Sequence, residues 1–300
     1  MSPILFDTTY LAMFDYQEFS KWNDGITRYM FEIASELDLQ RPKECCYVSA
    51  FNKQVTKERI EQFKKDKRFP PWKFKTEKIA YKERVNWFFP NTYYPFPEDL
   101  KRYSQIQFFV GVFDLIPFFF PEHFTSKFNV AFRNSLKSYC KEDRIHFLCI
   151  SESTKRDLCK VMDLDSNKAS VVPLAADKKV FFPCYDNHSI EQVKSKYSIS
   201  NKPYFLCLSR FVERKNPLLV LKSFSLFLKK HKNSEMKLVF AGLNVKTTIK
   251  NYFDEAIQFI LKEGIQDRIH WVEFVEEDDL HCLYSGAQAC FFPSLYEGFG

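Results

Sequence analysis

Tyr204-Phe205-Leu206-Cys207-Leu208-Ser209-Arg210-Phe211-Val212-Glu213-Arg214-Lys215-Asn216-Pro217-Leu218 runs from an unbroken apolar segment, through a loop with three cations, into a helix start. A short apolar run bounded in this way reads as a strand buried on both faces. Pro217 suits the first turn of a helix, and Leu218, Leu221, Phe224 and Leu228 follow at the three-four spacing of a buried face. Lys229, Lys230, His231 and Lys232 close that helix with positive charge, which is favourable at a C-terminus. Strand, short loop and helix in this order form the repeating piece of a parallel α/β sheet, and ligands bind such sheets at the carboxyl edge.

The same pattern extends in both directions. Downstream, Lys237 to Ala241, Ile269 to Val275 and Ala289 to Phe292 read as further strands. Upstream, Ile4 to Asp7, Cys45 to Phe51, Ile106 to Phe113, Ile145 to Ile150 and Ala169 to Leu174 read as strands. Helical spacing fills Ile26 to Leu37, Thr56 to Lys67, Phe124 to Cys140 and a short stretch after Ser153. The expectation is an α/β protein of two Rossmann-like doubly wound domains facing a cleft. Residues 1–176 form the first domain, polar residues 177–202 bridge, and residues 203–300 form the second.

With 45% apolar and 27% charged residues, the 300-residue chain has the composition of a globular protein able to bury two cores. Its 34 phenylalanines are scattered among charges, and no run approaches the ~20 apolar residues of a membrane span. Met1 to Leu11 lacks the form of a signal peptide, so a cytoplasmic location is the expectation. The nine cysteines include no C-x-x-C pair and mostly lie in apolar runs, as reduced core thiols do; no metal site is expected.

The net charge of +6 is concentrated in residues 57–84, where eleven Lys or Arg meet five acids. Phe69, Trp72, Phe74, Trp87, Phe88 and Phe89 lie beside them. That combination fits docking on the inner face of an anionic membrane, and it equally fits a solvated helix and loop. No nucleic-acid motif accompanies it.

Arg210 and Lys215, next to a helix N-terminus, suit a diphosphate, with a guanidinium fork and a mobile ammonium; ordinary solvated loop charges are the competing reading. Neither a Walker motif nor G-x-G-x-x-G is present, which removes the strongest cue for P-loop kinases and common dinucleotide oxidoreductases. At the far end, Pro293-Ser294-Leu295-Tyr296-Glu297-Gly298-Phe299-Gly300 sets a carboxylate between small residues after a strand, as a ligand loop does.

Arg210 and Lys215, then Phe240-Ala241-Gly242, then Phe274-Val275-Glu276-Glu277-Asp278 with Tyr284-Ser285-Gly286-Ala287, then Glu297-Gly298-Phe299-Gly300 form an ordered series of strand-end motifs. In this series the chain resembles the retaining glycosyltransferases of family 4, which have the GT-B fold. Gly25-Ile26-Thr27-Arg28-Tyr29, Asp114-Leu115-Ile116-Pro117, Ser151 to Leu158 and Val171 to Asp177 resemble the family's first half.

The resemblance implies transfer of a hexose from a nucleotide-diphosphate sugar to a glycan or lipid-linked acceptor, with retention and without an obligatory metal. Mannose is the modest preference, because the Asp-Leu-Ile-Pro segment resembles bacterial mannosyltransferases. By the same resemblance, Arg210 and Lys215 bear the charge of the departing diphosphate and Glu297 contacts the donor sugar. Gly298, Phe299 and Gly300 approach sugar and phosphate, Phe274 and Val275 border the base, Gly242 belongs to the donor-binding edge, and Gly25 lets a loop close.

Phe113 stands where many relatives have a histidine near the transferred sugar; either Asp114 or His123 takes that place or activity is reduced, and the position of His123 reads more readily as a surface residue at a helix start. The family pattern also continues past Gly300 with a second glutamate, so the expectation includes an incomplete second domain. The alternative is a non-catalytic nucleotide-sugar-binding or partner subunit, or an inactive remnant. An epimerase or phosphorylase rests on fold analogy alone.

Overall fold

The computed structural model describes residues 4–7, 25–41, 45–48, 84–178, 180–242 and 250–299. The chain divides into two compact units, Met1–Leu174 together with Gly298–Gly300, and Ala175–Glu297.

The first unit contains β1 (Ile4–Asp7), α1 (Gly25–Gln40), β2 (Cys45–Val48), β3 (Val85–Phe89), β4 (Ile106–Val112) and the short α2 (Ile116–Phe119). It continues with α3 (Ser126–Cys140), β5 (Ile145–Cys149), α4 (Glu152–Met162) and β6 (Ala169–Val171). The six strands are ordered β2-β1-β3-β4-β5-β6, and every neighbouring pair is parallel. Alternate residues of β4, Phe108, Val110 and Val112, are fully buried, and Phe132, Leu136 and Tyr139 of α3 pack into the same core. The Thr125 and Ser151 hydroxyls accept hydrogen bonds from the third amide of α3 and α4, which fixes where each helix begins.

Strand β3 corrects the membrane reading of its aromatics. Trp87, Phe88 and Phe89 are core residues, and the Trp87 indole Nε1 donates to Asp7 Oδ2 at 3.3 Å. These rings cannot reach a lipid surface while the sheet is intact. Residues 57–83, with the rest of the basic segment, the helix expected at Thr56 to Lys67, Phe69, Trp72 and Phe74, lie outside the described residues. Among the described residues no helix is long and apolar enough to cross a membrane.

The second unit contains α5 (Asn187–Lys196), β7 (Tyr204–Leu208), α6 (Pro217–Lys230), β8 (Lys237–Ala241), α7 (Lys250–Glu263), β9 (Ile269–Val272), α8 (Leu280–Ser285) and β10 (Ala289–Cys290). Its four strands are ordered β10-β7-β8-β9, again all parallel. Leu238 and Phe240 of β8 face a core built with Leu218, Leu221 and Phe224 of α6 and with Ala256 and Ile260 of α7. Val239 and Ala241 face the opposite core, with Tyr204, Leu206, Cys282 and Leu283. Burial on both faces explains the continuous apolar runs, and each large side chain such as Phe224 contributes about 2–3 kcal/mol.

The stretch expected as a bridge, 177–202, carries α5 and belongs to the second unit. Asp186 caps this helix by accepting from the His188 and Ser189 amides, and Ile190 and Val193 pack on the second core. With so few aliphatics the helix is nearly invisible to periodicity.

The strands are also shorter than their apolar runs. β9 stops at Val272 and β10 at Cys290, so Phe274, Phe291 and Phe292 lie in carboxyl-edge loops with 64%, 37% and 50% exposure.

Candidate functional site

In the second sheet the chain starts at β7, moves outward through β8 and β9, and returns to place β10 on the other side of β7. The boundary between β7 and β10 is therefore a topological switch point, where the loops leaving two adjacent strands diverge and open a crevice at the carboxyl edge. The loop after β7 carries Arg210, Arg214 and Lys215; the loop after β10 carries Ser294 and Glu297.

These two loops are joined through their backbones, since the Leu295 amide donates to the Arg214 carbonyl at 2.8 Å. A 3-10 turn, Glu213–Lys215, aims the cations, and Asn216 at φ 55 reverses the chain so that Pro217 can open α6. Asparagine is among the residues that tolerate this left-handed conformation.

Glu297 is the centre of the cluster. Its Oε1 lies 2.7 Å from Arg214 Nη1 and 2.5 Å from Lys215 Nζ. Arg214 is 5% exposed and also donates from Nη1 to the Tyr296 carbonyl at 2.6 Å, gripping the residue next to Glu297 as well as its side chain. Lys215 Nζ lies 4.6 Å from the centroid of Phe292. Burial pushes the Lys215 ammonium below its ordinary pKa of 10.5, Glu297 pulls the other way, and the charges of Arg214 and Arg210 add to the lowering. Arg210 itself is exposed. The Ser294 hydroxyl is buried with no hydrogen-bond partner among the described residues.

Of the residues expected here, Lys215 lies on Glu297, and the charge of Arg210 bears on Lys215. The structure adds Arg214, whose sequence signal is that of any loop charge and whose role emerges only from its burial. Two cations on one carboxylate, with the exposed Arg210 on the same loop, leave surplus positive charge, suited to a ligand with a diphosphate, while a carboxylate held by two cations can accept hydrogen bonds from hydroxyls without changing its own position.

Gly242 follows β8 on the same edge at φ 84, a conformation that strains any other residue. Phe274 is 64% exposed at this edge, and Val275 is half-buried against the core beside α8. A cavity of about 570 Å³ flanks the two loops, lined by Glu213, Asn216, Leu218, Lys222, Tyr252 and Glu255 among others. Its two carboxylates against one lysine fit a diphosphate poorly, so the cation-rich edge is the better anion site.

In the first unit, Gly25 is the first residue of α1. Phe113 sets its ring edge-on to Tyr29 with centroids 4.9 Å apart, and Asp114 Oδ1 accepts from the Ile116 amide at 2.9 Å, in a turn just ahead of α2. His123 is not the surface residue its position suggests; its side chain is 11% exposed, with Nε2 3.7 Å from Glu122 Oε1. Gly298 and Phe299 are grouped with the first unit, the glycine buried and the ring exposed, and Gly300 lies outside the described residues.

Residues 189–300 match the model of the family described as Glycosyl transferases group 1, a stretch that contains the whole β7/β10 cluster. The chain is 28% identical over 191 residues to the O-antigen chain mannosyltransferase RfbU of Salmonella typhimurium. That match covers 64% of this chain and 46% of the relative, so the chain spans about half of that relative's length.

Several solved structures are similar over the entire chain. A glycosyltransferase from Rickettsia africae has a TM-score of 0.63 at 16% identity, covering 100% of this chain and 75% of the other. Alr3699/HepE of Anabaena, in complex with UDP-glucose, has a TM-score of 0.62 at 13% identity, covering 100% and 76%. The fold is thus the GT-B type, two Rossmann-like α/β units with parallel sheets.

Proposed function

We propose that this chain transfers a hexose, mannose by preference, from a nucleotide-diphosphate sugar to a hydroxyl of a glycan or lipid-linked acceptor, retaining the anomeric configuration. The observation that carries the reading is the convergence of Arg214 and Lys215 on Glu297 at the switch point between β7 and β10. The family match over the same residues and the mannosyltransferase relative agree with it.

In this reading the donor's diphosphate lies against Lys215 and Arg210. As the glycosidic bond breaks, negative charge grows on the departing phosphate, and cations already fixed by the fold stabilise it without reorganising. Glu297, held by Arg214, accepts hydrogen bonds from hydroxyls of the donor sugar and sets its position. Gly242 permits close approach of the backbone, Phe274 covers the base, and the Ser294 hydroxyl supplies one further polar contact. Gly298 to Gly300 follow as backbone donors. No metal is required for the leaving group, because the cations take its electrostatic role.

In this reading the acceptor side falls to the first unit, with Asp114 as a candidate for a polar role next to the unreactive Phe113. The Asp114 carboxylate already accepts from a backbone amide. Phe113 offers no atom that can take a proton, which favours a second reading: donor binding without transfer.

A panel of nucleotide sugars separates the two. Release of nucleoside diphosphate in the presence of acceptor, abolished by Glu297→Ala, supports transfer. Saturable binding with no release across the panel supports the second reading, and absence of both overturns the site.

A further inference from the structure

Away from the β7/β10 loops, the second unit brings together two cysteines and a histidine that the proposed transfer does not use. We infer that Cys184, His281 and Cys282 form a zinc site that fastens the segment entering the second unit to α8.

Cys184 precedes α5, and its amide donates to Ser285 Oγ at 2.9 Å, while that hydroxyl donates to the His281 carbonyl at 2.7 Å. The entering segment is thus already tied to α8. Cys282 is buried at 3% exposure, with its Sγ 2.9 Å from Cys184 Sγ and 3.3 Å from His281 Nε2. All three donor atoms lie within 4.8 Å of one another. The imidazole is stacked on Phe182, centroids 4.2 Å apart at 28°, which holds its ring plane.

The donor chemistry selects the ion. Two thiolates and an imidazole are a ligand set of zinc, and two thiolates balance the charge of Zn²⁺. Metal–sulfur bonds of about 2.3 Å in a tetrahedron place two sulfurs about 3.7 Å apart and a sulfur and a nitrogen about 3.5 Å apart. The edge from Cys282 Sγ to His281 Nε2 is nearly there, that from Cys184 Sγ lies within 4.8 Å, and the sulfur–sulfur edge opens by less than about 1 Å, within reach of a χ1 adjustment.

A disulfide needs the sulfurs at about 2.05 Å, a closing movement of similar size, so the sulfur pair alone does not decide. His281 does, since an imidazole beside the thiols has a task at a metal centre and none in a disulfide. Neither nearby carboxylate is open: Asp279 is engaged by Lys196 at 2.6 Å and Tyr197 at 2.5 Å, and Asp186 caps α5. The fourth position is left to water. Binding releases the two thiol protons to solvent as the zinc–sulfur bonds form.

The experiment uses the full chain purified under reductant, dialysed against zinc and then metal-free buffer, with zinc counted by mass spectrometry and cobalt(II) substituted as an optical probe. The expected result is one zinc per chain and a cobalt spectrum with sulfur-to-metal charge transfer and tetrahedral d–d bands. Cys184→Ser and His281→Ala each weaken retention by about 10–100-fold or more, and Cys290→Ser, which changes a thiol outside the cluster, leaves it intact. His281→Ala keeps both thiols and the Cys282 packing, so it remains informative if a cysteine variant does not fold.

Zinc absent from the reduced wild-type chain overturns the site. So does zinc retained equally in all variants, or a Cys184–Cys282 disulfide in unreduced peptide maps without metal. None of these readouts depends on transfer activity, so failure here and failure of the proposed function are separate results.

Discussion

Arg214 provides the sharpest test of how the site is built. In Arg214→Ala, Glu297 retains Lys215 but loses the guanidinium at 2.7 Å, and the Tyr296 carbonyl loses its 2.6 Å donor. Removing one member of a buried pair costs about 3–5 kcal/mol where the remaining charge is left unpaired. Lys215 keeps Glu297 paired here, and the Glu297 side chain is 18% exposed, so the figure is reduced to about 2–3 kcal/mol, from the lost ion pair and the lost hydrogen bond to the Tyr296 carbonyl. That corresponds to a melting shift on the order of 5–10 °C for a domain of this size. The loop also loses the grip on Tyr296, so turnover falls by more than donor affinity. Thermal melting and nucleoside-diphosphate release read the two effects, and Arg214→Lys recovers part of the stability without the guanidinium geometry. If Arg214→Ala melts within 1–2 °C of wild type, roughly the scatter of a surface change, and turns over normally, the anchoring of Glu297 by Arg214 is wrong.

The remaining predictions concern charge, backbone and core. Burial places the Lys215 pKa below 10.5, so as pH rises through that lowered value the ammonium is lost and nucleoside-diphosphate affinity falls. Titration calorimetry across alkaline pH shows a limb below 10.5, and Lys215→Arg removes it because guanidinium stays protonated. Gly242→Ala costs about 1–2 kcal/mol in denaturant unfolding from its φ of 84, since among the described residues its added Cβ would find atoms no nearer than 3.6 Å. Trp87→Ala destabilises the first unit by about 3–5 kcal/mol, as expected of a 3% exposed core ring. If that variant instead melted like wild type and lost liposome binding, the ring would be a membrane anchor after all.

What the sequence disclosed depended on how local the signal was. Tyr204 to Lys230 announces strand, cationic loop and helix within one stretch, and the structure places them at β7 and α6 with those boundaries. Arg210, Lys215 and Glu297 could be singled out because each lies in a loop that follows an apolar run, with a distinctive local pattern around it. Strand β3 was hidden because Trp87, Phe88 and Phe89 adjoin a charge-rich segment, and pattern alone does not separate a buried aromatic run from a surface one. Helix α5 was hidden because Ile190 and Val193 are its main apolar contacts and a single cap fixes its start. Arg214 and the Cys184–His281–Cys282 cluster were invisible for another reason, since their meaning comes from contacts between distant segments. No spacing rule links Cys184 to a helix 98 residues away in sequence.

If the carboxyl edge between β7 and β10 binds the diphosphate of a nucleotide sugar, a nucleoside diphosphate alone must feel its cations. Calorimetric titration of that nucleotide against wild type and the Arg210→Ala, Lys215→Ala double variant, at one fixed ionic strength, measures this. The expected result is saturable binding to wild type, weakened at least about 100-fold in the double variant, as for two charge-assisted contacts of about 1.5–3 kcal/mol each. Equal affinity in the two proteins, with the variant still folded, would contradict it.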